Sequence, residues 1–265
     1  MGEKSKEKSL HKALGDLRTR GQKTINNVHI WSALAKSALS AKANDGDFIS
    51  KTSHEVPSLI KDNSSGKKVE IRKGKVSRSP EQVVAIINNA VGFELNYSVF
   101  VYLVAHMEAF FNDVLYELLC YDNRRLKTRV KGIDFEAKID VNDLIDAEDK
   151  DDLVCQVVRR QLISVFYASP ALQMEYFQKI TGVELSDDLV SSWIEMKAAR
   201  DIIVHSLGVV NELYVRKSGN KARGNIGERV LIDDEYLDSG MAVMKSIIGR
   251  AISFLQREIK KHAAA

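Results

Sequence analysis

Apolar side chains recur at helical spacing over most of the chain. The periodic stretches cover residues 4–42, 80–121, 148–167, 170–181, 187–206 and 234–261. Because residues three and four apart lie on one side of a helix, this pattern predicts helices that each bury one stripe. We expect Gly21 and Gly92 to interrupt the first two stretches, since glycine is a poor helix former. The pattern predicts an all-α fold, arranged as a helical bundle.

Several predicted helices begin at residues suited to capping. Ser79 is followed by Pro80 at the first helical position and by Gln82 three residues after the cap, which predicts a capping box. Ser186 precedes Asp187 and Asp188, a pattern typical of a helix N-terminus. These residues predict helix starts near 80 and 187.

Two segments, 43–78 and 209–232, lack this periodicity and are rich in polar, basic and glycine residues. Within the first, residues 67–76 predict a basic hairpin or a mobile loop. We therefore divide the chain into an N-terminal helical and basic extension, residues 1–78, and a helical domain, residues 79–261. The basic loops or hairpins are small insertions in an otherwise helical fold.

The composition is typical of a folded protein without a membrane segment. Of 265 residues, 45% are hydrophobic, 28% are charged and three are proline. No run of about 18 or more uncharged apolar residues occurs, and the charged N-terminus lacks the apolar core of a secretory signal. Cys120 and Cys155 lie in apolar helical surroundings without metal-binding spacing, which is typical of buried thiols in a reducing compartment. We therefore expect a cytoplasmic protein that does not associate with membranes.

The segment from Arg200 to His205 carries the main chemical signal. Five residues along an ideal helix correspond to a rotation of about 140 degrees, so the two side chains do not share one face. His205 falls near the C-terminal end of its predicted helix, where the helix dipole stabilises a protonated imidazole. Arg200 offers fixed donors suited to phosphate oxygens. Together they supply an acid–base group and a phosphate clamp, the parts needed to cleave a phosphodiester without a metal.

Other common catalytic motifs are absent from the sequence. It contains no P-loop, no Rossmann glycine fingerprint, no Gly-x-Ser-x-Gly and no His-Glu-x-x-His. The acidic stretch 140–152 lacks the residue order of a calcium-binding EF-hand loop. We therefore expect neither a cofactor nor a metal ion.

Residues 200–211, Arg-Asp-Ile-Ile-Val-His-Ser-Leu-Gly-Val-Val-Asn, closely resemble the helix end that characterises the HEPN family. An apolar helix containing residues 107–111 and a closing helix after residues 233–237 are also similar to that family, and the resemblance covers approximately residues 80–261. The chain departs from the family at Leu207, where members modified by nucleotidyltransferases often carry tyrosine, and at Ser206, where asparagine is frequent.

The resemblance implies a small helical bundle that forms a homodimer, in which two Arg/His motifs meet in one cleft. Active members of the family are metal-independent endoribonucleases. By this resemblance, His205 would handle the proton of the ribose 2′-hydroxyl or of the leaving group, and Arg200 would stabilise the charge developing on the phosphate. Asp201 would orient the site. A cleft shared across a two-fold axis also accommodates the 140-degree offset.

Further residues are candidates for supporting an RNA-cleaving site. Glu108 and Asn112 lie one turn apart on the apolar helix, and they either form a structural hydrogen bond or contact the Arg/His cleft. The basic segments are candidates for contacts with the RNA backbone. From these segments we single out Lys67, Lys68, Arg72, Lys73, Arg124, Arg125, Arg216 and Lys217.

Three functional hypotheses remain open at this stage. The first is an endoribonuclease effector of the toxin or antiviral-defence kind, restrained by an antitoxin or another regulatory protein partner. The second is a non-catalytic HEPN-like dimeric scaffold, and the third is a nucleic-acid-binding regulator that uses the basic loops. The presence of both Arg200 and His205 favours the enzyme, since a scaffold needs neither.

Overall fold

The helical periodicity of the sequence corresponds to helices in the structure, a computed structural model that describes residues 3–51, 53–59, 71–135, 141, 145 and 147–264. The structure is 78% helix and 5% strand. The expectation of a mostly α-helical fold is therefore confirmed.

The helices are, in chain order, α1 (Glu3–Ala43), α2 (Gly46–Ile49), α3 (Pro80–Asn89), α4 (Leu95–Tyr121), α5 (Lys150–Tyr167), α6 (Pro170–Thr181), α7 (Asp187–Ser206), α8 (Glu212–Ser218) and α9 (Asp234–Ala264). Two strands, β1 (Ser53–Leu59) and β2 (Ile71–Ser77), form an antiparallel pair. A π-helical turn, Ala90–Glu94, joins α3 to α4, and short 3-10 turns cover Asn123–Lys127 and Gly219–Lys221.

The chain forms two compact units, one of Met1–Val28 with Val99–Ala265 and one of His29–Ser98. This division differs from the one predicted at residue 78, because the first part of α1 packs with the later helices. Leu10, Leu14 and Ile25 of α1 are buried. Burial of these apolar side chains makes the first part of α1, up to Val28, belong to the larger unit.

The smaller unit contains the strand pair and α3. Val56 of β1 lies opposite Gly74 of β2, so the basic tract contributes one strand of a hairpin-like ladder. At the start of α3, Ser79 and Gln82 form both hydrogen bonds of the predicted capping box. The break expected at Gly92 does not occur, because the chain continues from α3 into α4 through the π-helical turn that contains this glycine.

Helix α4 forms the centre of the larger unit. The ring of Phe111 on α4 packs edge-on against Phe177 of α6 and Trp193 of α7. Its centroid lies 4.7 Å from that of Phe177 and 5.2 Å from that of Trp193. Each aromatic pair contributes about 1 kcal/mol beyond the area that it buries. These contacts hold α6 and α7 on the same core.

The segment Pro80–Tyr121 is long and apolar enough to span a membrane by length and composition alone. A buried core helix meets the same criterion, and the α4 side chains Val99, Leu103, Val114 and Leu119 are at most 1% exposed. Packing inside the larger unit therefore accounts for the apolar character of α4.

The two cysteines meet between α4 and α5, which their separation in sequence does not reveal. Both thiols are half-buried and free, and the Sγ atoms of Cys120 and Cys155 are 2.8 Å apart. Burial raises the pKa of the Cys120 thiol to about 12. Cys120 is therefore a protonated, weakly nucleophilic thiol at neutral pH.

The interruption expected at Gly21 is wrong, because α1 runs unbroken from Glu3 to Ala43. A Cβ atom at this position would lie 3.1 Å from Cδ1 of Ile248 and 3.7 Å from Cδ2 of Phe110. Gly21 is therefore a point of close helix approach, where α1 packs against α4 and α9.

We predict that Gly21→Val destabilises the protein by about 1–3 kcal/mol, because the added methyl groups overpack this contact. Gly21→Ala should be nearly neutral, since its gain in helix propensity of about 1 kcal/mol offsets a small shift of Ile248. Urea unfolding measures both. Gly92→Val is the matched control, because no atom lies within 4 Å of a Cβ there. Equal stability of the two valine variants would contradict the packing role.

Candidate functional site

A cleft of about 770 Å³ in the larger unit collects the three predicted catalytic side chains and two of the other side chains singled out from the sequence. It lies where the end of α7 faces α8 and the α5–α6 connection. Among its lining residues are Arg200, Asp201, His205, Glu108 and Lys217. Lys197, Asn211, Leu213, Tyr214 and residues 166–170 also line it. The structure therefore brings the predicted catalytic residues together with Glu108 from α4.

A left-handed turn ends α7 directly after His205. Leu207 has a φ angle of 51°, and it is the one non-glycine residue in the described part of the chain with a positive φ. The N–H of Gly208 donates to the carbonyl of Ile202 at 3.0 Å, which closes the helix end. The left-handed conformation costs about 1–2 kcal/mol for a residue with a Cβ atom. This turn leaves His205 exposed at the edge of the cleft.

Helix α8 forms the opposite wall. The side chain of Asn211 accepts a hydrogen bond from the Tyr214 N–H at 2.9 Å and so caps the start of α8. The helix then places Nζ of Lys217 3.4 Å from Oδ2 of Asp201. Of the two α8 cations singled out from the sequence, Lys217 lines the cleft, whereas Arg216 is exposed outside it.

Glu108 joins α4 to two cations of α7. Nη2 of Arg200 donates to Oε2 of Glu108 at 2.5 Å, and Lys197 donates to Oε1 of the same carboxylate. Lys197 also donates to Oε1 of Gln173 at 2.7 Å. Burial lowers the pKa of Lys197, and the bond to Glu108 opposes that shift. Of the two alternatives left open for Glu108, the structure therefore shows a contact with Arg200 in the cleft.

Sequence reasoning missed Lys197. Its side chain is 7% exposed and lies on the inner side of α7, one turn before Arg200. Helical spacing alone places residues three apart on neighbouring positions of one face. This spacing could have pointed to Lys197, but it could not have shown that its ammonium group reaches a carboxylate on α4.

The charges of the cleft do not cancel. Besides Glu108, Arg200 contacts Asp201, with 3.2 Å between Nη1 and Oδ1. Lys197, Arg200 and Lys217 thus face two carboxylates, which leaves one positive charge before His205 is counted. Nε of Arg200 is buried and has no hydrogen-bond partner within the described residues. A buried unpaired donor is costly, so the guanidinium of Arg200 is only partly satisfied by its contacts with Glu108 and Asp201.

A second buried carboxylate supports the wall of the cleft. Glu195 of α7 is 3% exposed and accepts from the hydroxyls of Tyr214 at 2.6 Å and Tyr236 at 2.5 Å, and from Nε of Arg223 at 3.1 Å. Burial, followed by the charge of Glu195, raises the pKa of Tyr214 to about 12 and also raises the pKa of Tyr236. Both hydroxyls therefore remain donors at neutral pH and tie α8 and α9 to α7.

The other predicted residues do not line the cleft. Asn112 is half-buried on α4 outside it. Arg124 and Arg125 pair with Asp122, and Arg125 also donates to the carbonyl of Ile180. These contacts link residues of the connection that follows α4. A contact of either arginine with RNA stays a prediction.

Two of the basic residues singled out from the sequence, Arg72 and Lys73, lie on β2 of the smaller unit. Lys73 lies on β2 with its ammonium group 3.3 Å from Glu55, and the backbone of Arg72 precedes it in the same strand. Lys67 and Lys68 lie outside the described residues. A role of this segment in RNA binding therefore stays a prediction.

Within the part of the chain that the structure describes, no group of three or more histidine, cysteine, aspartate or glutamate side chains is arranged to hold a metal ion. Among the lysine, arginine, aspartate and glutamate side chains that line the cleft, the three cations Lys197, Arg200 and Lys217 outnumber the two carboxylates.

We predict that Glu108→Ala destabilises the protein by about 3 kcal/mol, because it leaves the Lys197 ammonium buried without its carboxylate. Asp113→Ala is the matched control on the same helix. Asp113 pairs with Arg20 at the surface, where both side chains are more than one third exposed, so its loss should cost at most about 1 kcal/mol. Urea unfolding at neutral pH compares the two. If both variants lose the same stability, the Glu108 network is not structurally important.

The sequence matches no protein-family model, and no curated protein and no solved structure is significantly similar to it.

Proposed function

We propose that this chain is a metal-independent endoribonuclease of the HEPN kind, with Arg200, Asp201 and His205 at its active site. One observation carries the proposal: these three residues share a cleft with Lys197 and Lys217, and that cleft has a surplus positive charge. A phosphodiester group carries a single negative charge. It therefore complements the cleft.

The phosphate is expected to bind between Arg200 and Lys217. The guanidinium group of Arg200 and the ammonium group of Lys217 line the cleft and are donors suited to phosphate oxygens. Lys217 is held to Asp201 by a contact of only 3.4 Å, which a closer anion can replace. Glu108 keeps the guanidinium of Arg200 in place on α7 while the phosphate binds.

Cleavage is an internal transesterification of RNA. The ribose 2′-oxygen forms a bond to phosphorus while the bond from phosphorus to the next 5′-oxygen breaks. The 2′-hydroxyl proton passes to a base and the leaving oxygen takes up a proton, so the products carry a 2′,3′-cyclic phosphate and a 5′-hydroxyl. His205 performs one of these transfers and Arg200 stabilises the charge on the phosphoryl oxygens.

A homodimer supplies the second histidine. Tyr167 and Leu213, which line the cleft, are 89% and 48% exposed, and Val204 and Leu207, next in sequence to the lining residues His205 and Ser206, are 50% and 73% exposed. Exposed apolar side chains around a polar site are typical of surfaces that a partner covers. A second copy bound here about a two-fold axis would bring the two His205 side chains to one cleft.

An active ribonuclease damages its own cell. We therefore propose a cytoplasmic effector of the toxin or antiviral-defence kind, held in check by an antitoxin or another regulatory protein. We place the docking region for such a partner in the N-terminal extension, residues 1–78, because its helical periodicity and basic tail suit that role.

A second candidate function is a non-catalytic, HEPN-like dimeric binding module. The specific observation in its favour is that Arg200 already contacts two carboxylates, Glu108 and Asp201. An arginine held in this way can act as a structural link between α4 and α7.

We predict that His205→Ala lowers RNA cleavage in EDTA by about 10²–10⁴-fold, since it removes a proton-transfer group. Arg200→Ala should lower it by about 10²–10³-fold through loss of charge stabilisation. Gel analysis of a labelled RNA with mapping of the product ends measures both effects. His106→Ala is the matched control, because His106 stacks on Tyr102 outside the cleft, and its activity should equal wild type.

Retained cleavage in His205→Ala, or products with 3′-hydroxyl and 5′-phosphate ends, would exclude this active site. RNA binding without cleavage by the wild-type protein would instead support the binding module.

We predict that Leu207→Asn weakens the homodimer at least about tenfold, because burying a leucine side chain contributes roughly 1.5–3 kcal/mol. The stability of the monomer should not fall, since asparagine tolerates the left-handed conformation better than leucine. Sedimentation velocity over a range of concentrations measures the dimer. Leu34→Asn, which changes an exposed leucine of α1, is the control. A wild-type protein that is strictly monomeric would contradict the shared cleft.

A further inference from the structure

A second and larger cleft, of about 1160 Å³, lies elsewhere in the larger unit. Its walls are the N-terminal part of α1, the α6–α7 connection and the second half of α9. Among the described residues, none lines both this cleft and the one that contains Arg200 and His205. We call it the α9 groove.

The α9 groove is strongly cationic. Its lining includes Arg18, Lys245, Arg250, Arg257 and Lys260. In the described part of the chain, the only acidic side chain that lines it is Glu184. The whole chain has a formal net charge of only +3, so positive charge is concentrated here.

These cations are available to a ligand. Within the described residues, the four cations on α9 form no ion pair with a carboxylate. Arg18 donates a hydrogen bond to a neutral group, the hydroxyl of Ser253, at 3.1 Å. From Lys245 to Lys260 the helix rises by about 22 Å. A row of unpaired cations over this length fits a polymer with repeated negative charges better than a single small anion.

An aromatic ring lies among the cations. Phe254 is half-buried in the groove, and a Cβ atom at Gly182 would lie 3.6 Å from its ring. Gly182 has a φ angle of 73°, which ends α6 and favours glycine. The glycine backbone therefore lies beside one edge of the ring. The part of the half-buried ring that lines the groove offers a surface on which a nucleic-acid base could stack.

We propose that the α9 groove binds single-stranded RNA, with its arginines and lysines on the phosphates and Phe254 stacked on a base. The choice of RNA as ligand rests on the proposed function. An acidic protein fits the groove less well than RNA, because the buried centre of a protein interface is apolar. Among the described residues, none of the exposed large apolar side chains lines this groove. The groove would hold a long substrate while one phosphodiester occupies the Arg200–His205 cleft.

The first measurement is binding of a fluorescent oligouridine to the full-length His205→Ala protein, which does not cut the probe. The triple variant Arg250→Ala, Arg257→Ala and Lys260→Ala in this background should bind at least tenfold more weakly. The slope of the logarithm of the binding constant against the logarithm of the salt concentration should become less steep by about 0.7 for each phosphate that the variant no longer neutralises. The matched control, Lys8→Ala with Lys12→Ala and Lys23→Ala, removes the same charge from residues of α1 that do not line the groove.

Phe254→Leu tests stacking separately from charge. It keeps an apolar side chain in place but removes the ring, and it should weaken oligouridine binding roughly tenfold with an unchanged salt slope. Equal binding of oligouridine and oligoglutamate, or equal affinities of the groove triple and the control triple, would overturn the proposal.

The second measurement separates this inference from the proposed nuclease. With His205 intact, the groove triple should raise the KM for a long RNA but leave cleavage of a dinucleotide unchanged, since a dinucleotide is too short to occupy both clefts. Unchanged KM for the long RNA overturns the groove alone. If wild type cuts neither substrate, the nuclease proposal fails while the binding comparison still decides the groove.

Discussion

The carboxylate of Glu108 is the constraint on which the cleft depends. It pairs with both Lys197, which is almost fully buried, and Arg200, and it joins the central helix α4 to α7. Placing charges away from water is costly unless opposite charges and hydrogen bonds surround them. Lys197 meets that condition through Glu108 and Gln173. The position of Arg200 is therefore set by packing deep in the bundle rather than by its own helix end.

The residues at the open end of the cleft are held less firmly than Glu108 and Lys197 at its inner end. His205 is exposed beyond the buried part of α7, and Leu207 adopts a conformation that costs a leucine energy. Lys217 reaches Asp201 from a short helix whose position depends on the buried carboxylate Glu195. The cleft thus combines a rigid inner end at Glu108 with an open rim at His205, an arrangement suited to a site that a second copy completes.

Sequence reasoning was most accurate where local rules decide structure. The capping box of Ser79 and Gln82 and the helix end at Gly182 follow from side-chain and backbone preferences of a few neighbouring residues. The same rules failed at Gly21, because glycine there serves a contact with Ile248 and Phe110 that lies far away in sequence. The meeting of Cys120 and Cys155 was missed for the same reason.

By itself, the sequence determined the helical class, most helix bounds and the candidate pair Arg200 and His205, since helical periodicity and residue chemistry are local properties. Tertiary packing brings Glu108 to Arg200, places Lys197 in the cleft and bonds Arg125 to Asp122 and to the carbonyl of Ile180. It also decided that cations of α1 and α9 line one groove. The physical reason is that charge pairing and burial depend on which helices touch, and helical spacing does not specify the partner.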